Sequence, residues 1–195
     1  MEALLPTTLR ARLGARLPQR LPATPTTPYA AVAAVIRYVR EEPEVLLIKR
    51  SERPGDPWSG QMAFPGGRQS PGDADLVATA VRETHEEVGV DLSESAELVG
   101  RLDDVQAISR AQPTDLIIVP HVFLGDGAVP LAPAAGEVEE ALWASLTPMF
   151  RGETSTTYPF EREGIIHELP GYRVGPHVVW GLTYRMLELL FSALR

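Results

Sequence analysis

Apolar positions fall in short runs whose spacing changes along the chain. Leu5, Leu9, Leu13 and Leu17 recur every fourth residue with Arg10, Arg12 and Arg16 between them. That spacing predicts an amphipathic helix ending near Pro18, suited to packing or to a dimer contact. A Pro/Thr-rich connector follows, from Pro18 to Pro28. Ala30–Arg40 and Glu44–Arg50 are apolar and β-branched and predict a strand pair joined by Glu41-Glu42-Pro43. Ser51–Gly60 reads as a loop, and Gln61–Phe64 as a short strand broken at Pro65-Gly66-Gly67. The turn-rich stretch Ser70–Asp75 leads into a helix over about residues 74–88 that Gly89 stops. Leu98–Val105, Leu116–Leu124 and Glu139–Ala144 predict further strands, and Leu146–Phe150 a turn or short helix. Tyr158–Phe160 and Gly164–His167 suggest a small hairpin. Leu182, Met186, Leu189, Leu190 and Ala193 form the stripe of a closing helix, Thr183–Leu194. Mixed strands with few helices imply an α/β or α+β fold. Residues 1–28 form a helix and connector ahead of one domain, 29–195.

Composition narrows the function. The 195 residues suit one domain with a core of ordinary size. No apolar run approaches the about 18 residues of a membrane span, and the N-terminus lacks a secretory pattern. The absence of cysteine excludes disulfides, thiolate catalysis and Cys-ligated zinc, and is compatible with a cytoplasmic location. A net charge of −8 argues against duplex nucleic acid as a partner. It leaves open a small phosphorylated ligand whose charge a metal screens.

The most informative stretch is Arg82-Glu83-Thr84-His85-Glu86-Glu87-Val88-Gly89-Val90. Glu83, Glu86 and Glu87 stand at i, i+3 and i+4, on one edge of a helix. At about 4 Å and an effective dielectric of roughly 20, each such pair repels by on the order of 4 kcal/mol. A cation offsets that repulsion, and carboxylate oxygens select hard ions such as Mg²⁺ or Mn²⁺. The alternative is a solvated acidic face. On a wheel of about 100° per residue, Ala80, Thr84, Val77, Val88 and Val81 adjoin the carboxylates, whereas Arg82 and His85 lie opposite. Carboxylates bordering the apolar face fit a cleft at the rim of the core. Arg82 can orient a carboxylate through paired hydrogen bonds or form a surface salt bridge. Phe64-Pro65-Gly66-Gly67 needs glycine for positive φ or close backbone approach; a bared carbonyl there could reach a metal, and a tight turn is the other reading.

Glycine loop and carboxylate helix together resemble the Nudix hydrolase signature, with Gly67 as its first glycine, Asp73 in the slot of its first Glu, and Arg82, Glu83, Glu86, Glu87, Gly89 and Val90 matching its second half. Two positions depart: eight residues instead of seven separate Asp73 from Arg82, and Thr84 fills an apolar slot. The extra residue is similar to the coenzyme A pyrophosphatase branch. So are Leu46-Leu47-Ile48-Lys49-Arg50-Ser51, Gly60-Gln61-Met62-Ala63, Leu102-Asp103-Asp104-Val105 and Trp180-Gly181-Leu182-Thr183. The branch's Leu-Arg-x-His is absent; Glu52–Ser59 stands there without a histidine, and Ser70 replaces an Asp.

The resemblance implies an α/β/α sandwich with a mixed sheet. It implies hydrolysis of a nucleoside diphosphate linked to a group X, coenzyme A or a derivative being the leading case. Glu86, Glu87, the Gly66 carbonyl and Glu83 are then the ligands of Mg²⁺ or Mn²⁺. Glu83 orients or deprotonates water, and Arg82 orients the helix carboxylates. A further carboxylate from a later loop falls on Glu137 first and Glu140 second, with a solvated acidic turn as the alternative. Arg50 and Arg68 hold phosphate or form surface salt bridges. Trp58 stacks on a base or caps the sheet. Tyr158, Phe160 and Tyr172 line a base or pantetheine pocket or pack in the core. His85 is expected at the surface and His121 in the core; His167 and His177 receive no role. Two other functions stay open: hydrolysis of nucleoside triphosphates or dinucleoside polyphosphates, and a non-catalytic nucleotide-sensing module. The expected partner is a small nucleotide diphosphate, with no nucleic acid and no membrane, and a homodimer is an option.

Overall fold

The computed structural model describes residues 2–109, 112–125 and 130–195. Its central strand, β1 (Tyr29–Val39), is apolar on both faces. Ala30, Val32, Ala34 and Ile36 enter one buried cluster; Ala31, Ala33 and Val35 enter another. A strand covered on both sides reads as a continuous apolar run instead of an alternating one. β1 pairs in parallel with β7 (Gln112–Gly125) and antiparallel with β2 (Glu42–Arg50) and β4 (Gly66–Arg68). β3 (Met62–Ala63) and β8 (Val138–Ser145) join β2; β5 (Ala96–Arg101) and β6 (Val105–Ser109) join β7, completing a mixed sheet of eight strands.

Helices cover both faces. α2 (Leu76–Val88) and the short α3 (Leu92–Ser95) place Ala80, Val88 and Leu92 against Ala31, Val35, Leu46 and Phe123. α1 (Pro6–Gly14), the short α4 (Leu146–Phe150) and α5 (Gly181–Leu194) bring Leu9, Leu13, Met149, Met186, Leu190 and Phe191 onto Val32, Ile36, Leu47 and Val122. The result is the expected α/β/α sandwich.

Several boundaries differ from the expectation for identifiable reasons. α1 stops at Gly14, and its stripe is consumed within the chain: Leu9 and Leu13 are 0% and 2% exposed, Leu17 95%. Burying each of the first two contributes about 2 kcal/mol. The β1–β2 turn is Arg40-Glu41, both at positive φ (50° and 69°), while Pro43 is a strand residue opposite Tyr38. The strand expected over 98–105 is two strands, broken where the connector docks. Arg16 Nη2 and the Gln19 amide donate to Asp103 (2.6 and 2.7 Å), and the Leu21 amide donates to Asp104 (3.0 Å). The small hairpin is a separate three-stranded sheet of β9 (Ser155–Arg162), β10 (Ile165–Val174) and β11 (His177–Trp180). Its exposed positions and the strand prolines Pro159 and Pro170 hide the apolar alternation that marks a strand.

Candidate active site

α2 is held at both ends by its own sequence. Asp75 caps it by accepting from the Ala78 amide (2.8 Å), and Gly89 ends it at φ 72°, its amide donating to the His85 carbonyl. Thr84, in the apolar slot, is fully buried and donates its hydroxyl to the Ala80 carbonyl at 2.7 Å, so the helix satisfies it. Thr79 is buried too and donates to Asp73 (2.9 Å).

The three glutamates occupy three environments. Glu87 is 5% exposed and accepts the Gly66 amide at 2.9 Å. Burial raises its pKa to about 7, against the lowering pull of that amide and of Arg50; the charges of Glu83 and Glu137 add to the rise. Glu83 is partly buried, and its pKa is also raised, first by burial, with Arg82 opposing. Glu86 is largely exposed. The carboxylates do border the core, as the wheel predicts.

Two glycines make this edge possible. A Cβ on Gly67 would lie 2.5 Å from the Glu83 carboxyl carbon, so the carboxylate rests where a side chain would be. Gly66 stands at φ +152°, and a Cβ there would lie 2.3 Å from the Ala31 carbonyl oxygen. Only glycine at 66 allows β4 to lie this close to β1, and glycine at 67 leaves the space that the Glu83 carboxylate fills.

Arg82 spends its whole donor fork locally. Nε and Nη2 grip Asp73 (2.8 and 2.9 Å), Nη2 also donates to the Arg68 carbonyl (3.2 Å), and Nη1 donates to Glu86 (2.8 Å) and lies 2.9 Å from Glu83. Asp73 also accepts the Ser70 amide, and its pKa is held well below the usual carboxylate range, first by Arg82. Sequence reasoning placed Asp73 in a signature slot but missed its role as the clamp on Arg82; the pair is nine residues apart, across a turn. Among the described residues, no three acidic or histidine side chains converge into a metal cluster; Arg82 is the countercharge. The donor set is nonetheless one of carboxylate oxygens without thiolate or imidazole, and two desolvated carboxylates side by side suit a hard divalent cation.

A cleft of about 300 Å³ adjoins this edge. Gly66 and Gly67 line it, so the glycines that touch Glu87 and Glu83 also form its wall; the carboxylates themselves do not line it. Val32, Phe64, Leu116, Ile118 and Met186 supply an apolar interior. Arg50, Arg68 and Trp58 all line the cleft. Arg50 is paired with Asp56 (2.7 Å), and Arg68 is exposed. Trp58 is half-buried, packs on the core and donates Nε1–H to the Ile108 carbonyl (3.0 Å).

Glu137 sits on a loop tied to α2 by the Ala134 amide on the Glu87 carbonyl (2.9 Å). It lies 3.2 Å from Arg53 Nη2, which also grips the Gly136 carbonyl at 2.7 Å. Arg53 carried no local signal, because its partners lie more than eighty residues away. Glu140 is paired with His177 Nε2 at 2.8 Å, so that histidine has a carboxylate partner that sequence spacing could not reveal. His85 is exposed and His167 lies on the exposed sheet. His121 is buried, with Nδ1 unpartnered, and burial depresses its pKa to about 4. Tyr172 belongs to the core, its hydroxyl donating to Glu188, whereas Tyr158 stacks on Trp180 at 4.2 Å.

Among the described residues, no helix is long and apolar enough to cross a membrane. A NUDIX domain family model matches residues 28–163. The chain is 35% identical over 187 residues to the human mitochondrial coenzyme A diphosphatase NUDT8, covering 94% of this chain and 75% of that protein. The mouse protein of the same name is 33% identical over 184 residues, covering 94% and 85%. Among solved structures, a NUDIX hydrolase from Alicyclobacillus acidocaldarius aligns with a TM-score of 0.52 at 20% identity, covering 87% of this chain and 93% of that one. The ordered signature, its assembly on β4 and α2, and these similarities agree: the chain belongs to the Nudix hydrolase family.

Proposed function

We propose that this Nudix hydrolase is a Mg²⁺- or Mn²⁺-dependent pyrophosphohydrolase acting on a nucleoside diphosphate linked to X, with coenzyme A or a derivative as substrate. One observation carries the reading: the glycine whose amide holds Glu87 and the glycine that leaves room for the Glu83 carboxylate also wall the cleft. A diphosphate in the cleft is thereby brought beside the carboxylate edge. The human relative's name, a coenzyme A diphosphatase, supports the choice of X.

In this proposal Glu87 and Glu83, the Gly66 carbonyl and Glu86, once Arg82 yields it, hold the ion. A bound divalent ion neutralises phosphate oxygens and lowers the pKa of coordinated water. Glu83 orients the attacking water and accepts its proton. Arg82, anchored by Asp73, fixes the direction of Glu83. Arg50 and Arg68 offset charge on the phosphate oxygens, and Trp58 offers an aromatic face to the base. Glu137 is the additional carboxylate; Glu140, engaged by His177, takes second place. Of the dimer expectation only the exposed Leu5 and Leu17 remain, because Leu9 and Leu13 are core residues. A cysteine-free chain suits a reducing compartment such as the cytoplasm, although the human relative is named as mitochondrial.

The test is a hydrolysis screen with Mg²⁺ or Mn²⁺ over coenzyme A, nucleoside triphosphates, dinucleoside polyphosphates, ADP-ribose, NADH and sugar nucleotides, with products read by mass. The expected result is scission of coenzyme A within its diphosphate. Preference for triphosphates or dinucleoside polyphosphates would replace the substrate assignment. No turnover anywhere, with binding retained, would make the protein a sensor.

A further inference from the structure

Trp58 stands between two cavities. It is fixed by its indole bond to the Ile108 carbonyl (3.0 Å) and by its amide bond to Asp56 (2.9 Å), and Asp56 is itself held by Arg50 at 2.7 Å. On one side lies the cleft that reaches Gly66 and Gly67. On the other lies a groove of about 570 Å³. The two share Trp58, Gln61 and Leu182, so the groove adjoins the cleft on the side away from the carboxylate edge.

The groove is walled by Ile108, Phe160, Leu169 and Trp180. These come from β6 and the β9–β11 sheet, which supply none of Glu83, Glu86, Glu87 and Gly66. Trp180 is braced by its stack on Tyr158 (4.2 Å, 5° between planes) and by Phe160 at 5.6 Å, which gives the wall a fixed shape. Charge enters only through Glu161, Arg162 and Arg185, all exposed. Apolar walls, few polar groups and this volume are the properties of a small-molecule site. Against these walls a nucleobase would leave most of its polar edge unpaired, and a polyphosphate tail would meet cations only at the solvent-exposed Arg162 and Arg185.

We propose that this groove receives an uncharged, flexible, largely apolar arm of the substrate, so that Leu169, Phe160 and Trp180 select nucleoside diphosphates carrying such an arm. The inference rests on the pyrophosphohydrolase reading above and deepens it: the amide-linked arm of coenzyme A, and more so its acylated form, has the matching chemistry. Affinity for the arm comes from apolar burial, and selectivity from how few polar partners the walls offer a charged or strongly polar X, the charged groups of the groove being solvent-exposed.

Two measurements on the full-length protein test this. The first is binding of S-octanoyl-pantetheine, an arm without phosphates, by isothermal titration and by quenching of tryptophan fluorescence. The second is the ratio of kcat/KM for octanoyl-coenzyme A to that for ADP-ribose. Leu169→Arg, which places a guanidinium in the groove, is expected to weaken arm binding and to lower the ratio, each by about tenfold. Phe160→Ala, a milder change, should lower both in the same direction, with Tm confirming that each variant folds. Absence of arm binding, or binding and ratio untouched by both variants, overturns the proposal. Hydrolysis confined to substrates without an arm also overturns it while leaving the hydrolase reading intact. Arm binding that responds to the variants, with no diphosphate hydrolysed, supports the groove's ligand class and sinks the hydrolase reading instead. A change in sedimentation with Leu169→Arg and no change in arm binding would make the groove a contact between copies, which also overturns it.

Discussion

Glu87→Gln is expected to stabilise the metal-free protein at alkaline pH, although it removes a residue placed at the centre of the site. The Glu87 pKa is raised from 4.5 to about 7 by burial. The native state therefore binds more protons than the unfolded chain between those values, and stability falls as pH rises through that window. Above pH 7 the ionised, buried carboxylate lowers stability by about 3 kcal/mol; below pH 4.5 the penalty vanishes. Glutamine keeps an oxygen for the Gly66 amide, but its buried NH₂ has a pH-independent cost of about 1–3 kcal/mol. The pH dependence of the difference cancels that cost. Between pH 5 and pH 8.5 the stability of the variant relative to the parent should grow by about 2.5 kcal/mol, or about 5–10 °C in Tm for a chain of this size. The assay is thermal unfolding at both pH values with excess EDTA. Saturating Mg²⁺ should then raise the Tm of the parent at pH 8.5 and leave the variant nearly unchanged. A difference that stays constant with pH would refute the reasoning, because Glu87 would then be solvated in the native state.

Gly67→Ala puts a methyl group where the Glu83 carboxylate rests; that carboxylate can swing aside, so Tm should change little while kcat falls by about a hundredfold. Gly66→Ala instead meets the Ala31 backbone at φ +152° and should cost more than about 3 kcal/mol, read by chemical denaturation. His121→Gln should flatten the acid limb of stability: the buried imidazole, with its pKa near 4, withholds protonation that the unfolded chain accepts from pH 6.5 downward. The parent therefore loses about 3 kcal/mol between pH 6.5 and pH 4, and the variant should not. Arg40→Asn with Glu41→Gly relieves two positive-φ residues in the β1–β2 turn and should raise stability by about 1–2 kcal/mol in urea unfolding.

The sequence by itself carried whatever depends on neighbours within a helical turn or a strand. The carboxylate helix, its glycine stop, the carboxylate edge bordering the core and the two-sided burial of β1 follow from periodicity, because the backbone repeats itself every few residues. The ordered spacing from Gly67 to Val90 was sufficient to point to the Nudix family. Tertiary structure decided what depends on residues far apart in the chain. It separated three similar glutamates into one buried, one half-buried and one exposed. It set Arg53 on Gly136 and Glu137, paired His177 with Glu140, and broke a predicted strand at Asp103-Asp104 by docking the connector there. It also turned Leu9 and Leu13 inward, and it set the sheet carrying Phe160 and Trp180 beside Trp58 to make a groove. Burial and long-range electrostatics are properties of three-dimensional proximity, and no local pattern encodes them; the sequence therefore placed the carboxylates along one helix edge, and the fold set how deeply each is buried and the shape of the cavities beside them.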